Sequence, residues 1–210
     1  MSTAALAPRT LADLLPAPTD STRRVTREVA LIGGFAVLTA ILAQVKFSLG
    51  FTPVPVTGQT LATLLAGTVL GWKRGAASQL VYWVAGIFMP FAWYANDATG
   101  TSISARWNYA IGTTAGYGIG FILAAALVGA LAERGQDRDL MTSVPAMLAG
   151  TAVIYSCGVS WLAFKLDIPV ATGETNAIGL GLVPFLLGDA IKLIIAGVAA
   201  PAVWRLVKRY

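Results

Sequence analysis

Long apolar blocks alternate with short polar ones along this chain. The blocks cover residues 29–47, 59–71, 76–91, 112–132, 144–164 and 184–204. Most of them approach the roughly 20 residues that a helix needs to cross a bilayer. The block 59–71 is short at face value, so its helix is expected to begin inside the loop before it. That loop carries Pro53, Pro55 and Gly58 in apolar surroundings, and the two prolines interrupt any regular helix. Residues 72–75, Trp-Lys-Arg-Gly, read as a tight turn. Residues 92–111 are polar and aromatic, with Trp93, Tyr94, Trp107 and Tyr109 suited to a membrane interface. Proline favours a first helical position, so the last helix is expected to start at Pro184 and to leave 176–183 irregular. The pattern predicts an all-α integral membrane protein with six transmembrane helices.

Composition sharpens this picture. The 210 residues are 56% hydrophobic and 12% charged, whereas about a quarter of a soluble domain is charged. Residues 1–22, with Pro8, Pro16 and Pro18, read as a disordered cytoplasmic tail, and 23–210 as one membrane domain. Orientation follows from Lys and Arg. With the amino terminus inside, the inner segments hold eleven: Arg9, Arg23, Arg24, Arg27, Lys73, Arg74, Arg134, Arg138, Arg205, Lys208 and Arg209. The outer side holds three, Lys46, Arg106 and Lys165. Both termini are therefore expected in the cytoplasm, and the irregular segments 48–58, 92–111 and 176–183 on the outer face.

The residue inventory excludes several functions. The chain has no histidine, which removes Ser-His catalysis and His-ligated metals. Its single cysteine, Cys157, permits no intrachain disulfide. No Gly-x-x-x-x-Gly-Lys-Ser/Thr loop is present, so ATP hydrolysis of the P-loop kind must come from elsewhere. No long basic helix face or zinc-ligand pattern points to nucleic acid. The chain reads as neither an enzyme nor a protein with a resident metal or cofactor.

The chemistry that remains sits in the last apolar block. Asp189 and Lys192 interrupt an otherwise hydrocarbon-compatible run, and their i, i+3 spacing puts both on one helix face. Ionisable groups at membrane depth are costly and usually face a cavity or one another. From spacing alone two readings stay open, a ligand site and an internal ion pair that holds helices in register. The ladder Gly112, Gly116, Gly120 suits close helix packing, with direct approach of Gly116 to a ligand as the other reading. Ala36-x-x-x-Ala40 is likewise a small-residue pattern that admits a second helix.

Three ordered segments carry a family resemblance. They are Phe51-Thr-Pro-Val-Pro-Val-Thr-Gly-Gln-Thr-Leu-Ala-Thr-Leu-Leu-Ala-Gly67 followed by Leu70-Gly-Trp-Lys-Arg-Gly75, then Gly112-Thr-Thr-Ala-Gly-Tyr-Gly-Ile-Gly-Phe121, then Pro184-Phe-Leu-Leu-Gly-Asp-Ala-Ile-Lys192. Together they resemble the biotin-specific substrate-binding subunits (BioY) of energy-coupling factor (ECF) transporters, over about 27–208. The resemblance implies a six-helix fold with biotin bound near the outer face by Asp189 and Lys192. It implies an asparagine contact at Asn96, or at Asn108, and a pocket or lid that includes Thr57, Gln59 and Tyr117. It makes Ala36 and Ala40 the docking surface for a transmembrane coupling subunit, with a pair of ATPases behind it, in a bacterial plasma membrane. Biotin's ureido ring offers N–H donors to a carboxylate and a carbonyl to a donor, and Lys192 or Arg106 is left for the valerate carboxylate. The same architecture with thiamine or riboflavin as ligand is the alternative.

Overall fold

The computed structural model describes residues 9–16, 18–91, 93–95 and 102–207. Its elements are α1 (Ser21–Gln44), β1 (Lys46–Phe47), β2 (Val56–Thr57), α2 (Gln59–Leu70), α3 (Trp72–Phe88), α4 (Ile103–Ala110), α5 (Ala115–Ala132), α6 (Leu140–Leu166), α7 (Ala177–Gly181) and α8 (Leu186–Val207). The six longest helices occupy the six apolar blocks. Four stretches are long and apolar enough to cross a membrane: α1, α5, α6 and the run that joins α7 to α8. Many large apolar side chains point outward from them, such as Val37 and Ile41 on α1 and Ile191 and Ile194 on α8. A helix that is apolar outside as well as inside is adapted to lipid.

α2 has 12 residues, about 18 Å of helix, and cannot span hydrocarbon unaided. Contrary to expectation it does not reach back into the preceding loop. Gly58 ends that loop, and residues 45–57 fold instead as a small antiparallel hairpin in which Lys46 pairs with Thr57 and Phe47 with Val56. Strand pairing satisfies the backbone that the prolines deny to a helix.

The bundle is built around α5, which packs on α2, α3 and α6. Glycine permits this closeness. A Cβ on Gly120 would lie 2.8 Å from the Ile154 Cα, and one on Gly67 would lie 2.6 Å from the Ala125 carbonyl oxygen. Gln79 of α3 is fully buried and ties three helices together. It donates to Thr39 of α1 at 3.2 Å and accepts from Thr63 of α2 at 3.2 Å. Buried amides persist only when paired in this way.

Residues 9–16, the last turns of α8, the α2–α3 turn and the α5–α6 loop gather at one end. Here the tight turn is Gly71 alone, not residues 72–75. Its φ of +84° reverses the chain in one residue, and α3 begins at Trp72, whose N–H donates to Glu133 Oε1 at 3.0 Å. Residues 9–16 correct the expectation of a disordered tail. Thr10 and Ala12 are buried, Arg27 donates to the Ala12 carbonyl at 2.6 Å, and Arg74 bridges Asp13 at 2.9 Å and Glu28 at 2.6 Å. Partial burial opposes ionisation of Asp13, yet hydrogen bonds from Arg74 and Thr10 hold its carboxyl below the usual aspartate range.

Candidate functional site

The opposite end of the bundle holds a partly open cavity of about 80 Å³. Asp189 lies on the first turn of α8, after a 3-10 turn, Val183–Phe185, that places the helix start at Leu186 rather than Pro184. Residues 177–181 form the short helix α7 where irregular backbone was expected, capped by the Asn176 side chain accepting from the Gly179 N–H at 2.8 Å.

Asp189 is 6% exposed and held on both oxygens. Oδ1 accepts from Thr60 Oγ1 at 3.1 Å and from Lys192 Nζ at 2.6 Å, and Oδ2 accepts from Tyr155 OH at 2.7 Å. Lys192 also donates to the Thr57 carbonyl at 2.5 Å, which ties α8 to β2. An ammonium has three donors and a carboxylate about four lone-pair positions. These four bonds therefore leave Lys192 with one N–H, and Asp189 with one acceptor position, for something in the cavity.

The walls are aromatic. Tyr82, Trp83, Tyr94, Tyr109, Tyr117 and Tyr155 all line the cavity. Gln59 donates to Tyr82 OH at 2.5 Å and accepts from Thr57 Oγ1 at 2.8 Å. Trp83 donates to the Ala110 carbonyl at 3.2 Å, and Tyr94 OH bonds the Trp83 carbonyl. Outside the spanning helices, burial pushes the Tyr94 and Tyr109 hydroxyls above their ordinary value, so both stay neutral. The irregular segments converge here. Thr52 of the hairpin loop donates to the Leu180 carbonyl at 2.7 Å, and Tyr117 to the Gly181 carbonyl at 2.6 Å.

The structure thus brings Asp189, Lys192, Thr57, Gln59 and Tyr117 to one cavity. It places the other described candidates elsewhere. Gly116 backs onto α6, where a Cβ would lie 2.2 Å from the Trp161 Cβ and 2.5 Å from the Cys157 carbonyl; its neighbour Gly118 lines the cavity instead. Ala36 and Ala40 are 1% and 5% exposed, packed in a cluster with Tyr82, Trp93 and Tyr94, so they face the bundle and not the outer surface that a docking role requires. Their small side chains serve the approach of α3 to α1. Asn96 lies outside the described residues, and Asn108 is exposed on α4 away from the cavity lining. Arg106 is buried, donating from Nε to the Ile87 carbonyl at 2.9 Å, outside the lining.

Sequence reasoning missed Thr60, Tyr155, Tyr82 and Trp83. Only Thr60 carried a signal, being one residue beyond Gln59 in the same segment. Tyr155 looks like any aromatic in an apolar helix until α6 is seen against α8.

The fold and cavity define a helical membrane protein with a polar, charge-bearing pocket at one end. The chain belongs to the BioY family, whose model matches residues 12–209. It is 34% identical over 187 residues to the biotin transporter BioY of Rhizobium etli, covering 85% of this chain and 93% of that one. Similarity to the biotin transporter BioY of Thermotoga maritima is also 34%, over 175 residues, 83% of this chain and 94% of that one. Among solved structures, the S-component for biotin from an ECF-type ABC transporter shares the fold with a TM-score of 0.71 at 20% identity, covering 90% of this chain and 95% of that one.

Proposed function

We propose that this protein captures biotin as the substrate-binding subunit of an ECF-type transporter in a bacterial plasma membrane, with the cavity facing outward. The observation that carries the reading is the Asp189–Lys192 pair, which lies at 2.6 Å inside an aromatic cavity with one acceptor position and one donor left over. A cyclic urea needs that combination. Asp189 accepts from a ureido N–H, Lys192 donates to the ureido carbonyl, and Asn96 supplies a complementary amide. Tyrosine and tryptophan walls suit the apolar ring and alkyl chain. Relatives at 34% identity that carry the name biotin transporter support the same ligand.

Binding is the chain's task, and energy enters through partners. Having no phosphate loop, it works with a transmembrane coupling subunit and an ATPase pair, and needs no resident cofactor or metal. The Lys and Arg distribution supports cytoplasmic termini. Calorimetric titration of the detergent-purified chain with biotin, thiamine and riboflavin tests the assignment. Saturable tight binding of biotin alone is the expected result; tighter binding of either other vitamin would refute it.

A further inference from the structure

Among its described lining residues the cavity has a charged pair but no spare charge, and this bears on which ligands it accepts. Fifteen Lys and Arg residues are present in the chain. Setting aside those at positions 9–27, 73–74, 134–138 and 205–209, only Lys46, Arg106, Lys165 and Lys192 remain. Lys165 is exposed and lies 5.7 Å from the centroid of the Trp161 ring. Arg106 hydrogen-bonds the Ile87 carbonyl, and neither it nor Lys46 belongs to the cavity lining. Residues 96–101 contain no Lys or Arg in the sequence. Among the described lining residues Lys192 is the sole cation, and Asp189 already balances its charge at 2.6 Å.

An anion brought beside a neutralised pair loses its hydration without gaining a full counter-charge, which is unfavourable unless it stays in water. The ureido head therefore takes the deep position at Asp189 and Lys192. The acyl tail then lies away from that pair, towards the open side of the cavity. A carboxylate there remains solvated, and its charge contributes little to binding.

Resting on the biotin reading above, we infer that the site accepts biotin derivatives with an uncharged tail, esters and amides, as a second ligand class alongside the free acid. The site recognises the bicyclic ureido head and tolerates change at the carboxyl end.

Competition against labelled biotin on the full-length purified chain tests this, with biotin methyl ester and biotinamide as competitors. Their dissociation constants are expected to lie within about tenfold of that of biotin, a difference of roughly 1.4 kcal/mol or less. A larger loss for both neutral ligands, with biotin itself bound tightly, would overturn the inference while leaving the biotin assignment intact. Failure of biotin to bind would remove the assignment and the inference together.

Discussion

Each end of this bundle carries ion pairs, but they are built differently. At the terminus end, Arg74 meets Asp13 and Glu28 with side chains 25%, 32% and 33% exposed. At the cavity end, Lys192 and Asp189 are 17% and 7% exposed and are also bound by Thr60, Tyr155 and the Thr57 carbonyl. Partly exposed pairs are screened and typically contribute about 0–1 kcal/mol. A buried pair contributes little net stability, yet breaking it strands a charge at a cost of about 3–5 kcal/mol. The first arrangement fastens chain ends. The second holds two charges at a cost, which the proposed ligand-binding role accounts for.

Replacing Asp189 by Ala should have the largest effect. It leaves Lys192 uncompensated, and biotin affinity should fall more than about a hundredfold by calorimetry, in line with the roughly 3–5 kcal/mol of a broken buried pair. The Asp189→Asn variant, which keeps the shape, should also bind weakly while remaining folded by thermal unfolding. Wild-type affinity in either variant would erase the distinction between the two ends.

Ala36→Trp comes next. Overfilling the α1–α3 contact should destabilise by about 1–3 kcal/mol, so folded yield and biotin binding should fall together. Intact folding and binding, with only transporter assembly lost, would show that the residue faces outward after all. Tyr155→Phe removes one donor to the Asp189 carboxylate, which corresponds to about 1.5 kcal/mol and roughly tenfold weaker binding. Arg74→Ala should lower thermal stability by about 1 kcal/mol or less and leave biotin affinity unchanged; a change in affinity would mean that the two ends are coupled.

The smallest effect is expected at Asp137. Burial pushes its carboxyl above the ordinary aspartate value of 3.8, and the Trp204 indole N–H, 2.6 Å away, only partly offsets this. A raised folded-state value means that its stabilising contribution is fullest below the unfolded value and is lost as pH rises through the folded one. Asp137→Asn keeps an acceptor for Trp204, so the variant should match or slightly exceed the wild type in stability at neutral pH. It should also lack the wild type's loss between acid and neutral conditions.

What could be read from the sequence was decided by cost. Two charges in hydrocarbon are so unfavourable that Asp189 and Lys192 announce themselves, and paired prolines announce the broken backbone above them. Small residues announce only closeness. Gly116 and Ala36 pack as tightly as their type suggests, but no pattern in one chain says which helix covers them, and both proved to face inward neighbours. The docking of residues 9–16 was hidden for a similar reason. Proline-bounded polar segments resemble free tails until Arg27 and Arg74 are seen to reach them across 15 and 61 positions of sequence. Tyr155 was invisible because its role depends on α8, 34 residues away.

A structure of the protein with biotin bound tests the central claim most directly. The account predicts ureido N–H and carbonyl groups within hydrogen-bonding distance of Asp189 and Lys192, with the tail towards the open side. Biotin seated elsewhere, with the pair still closed on itself and touching nothing, would contradict it.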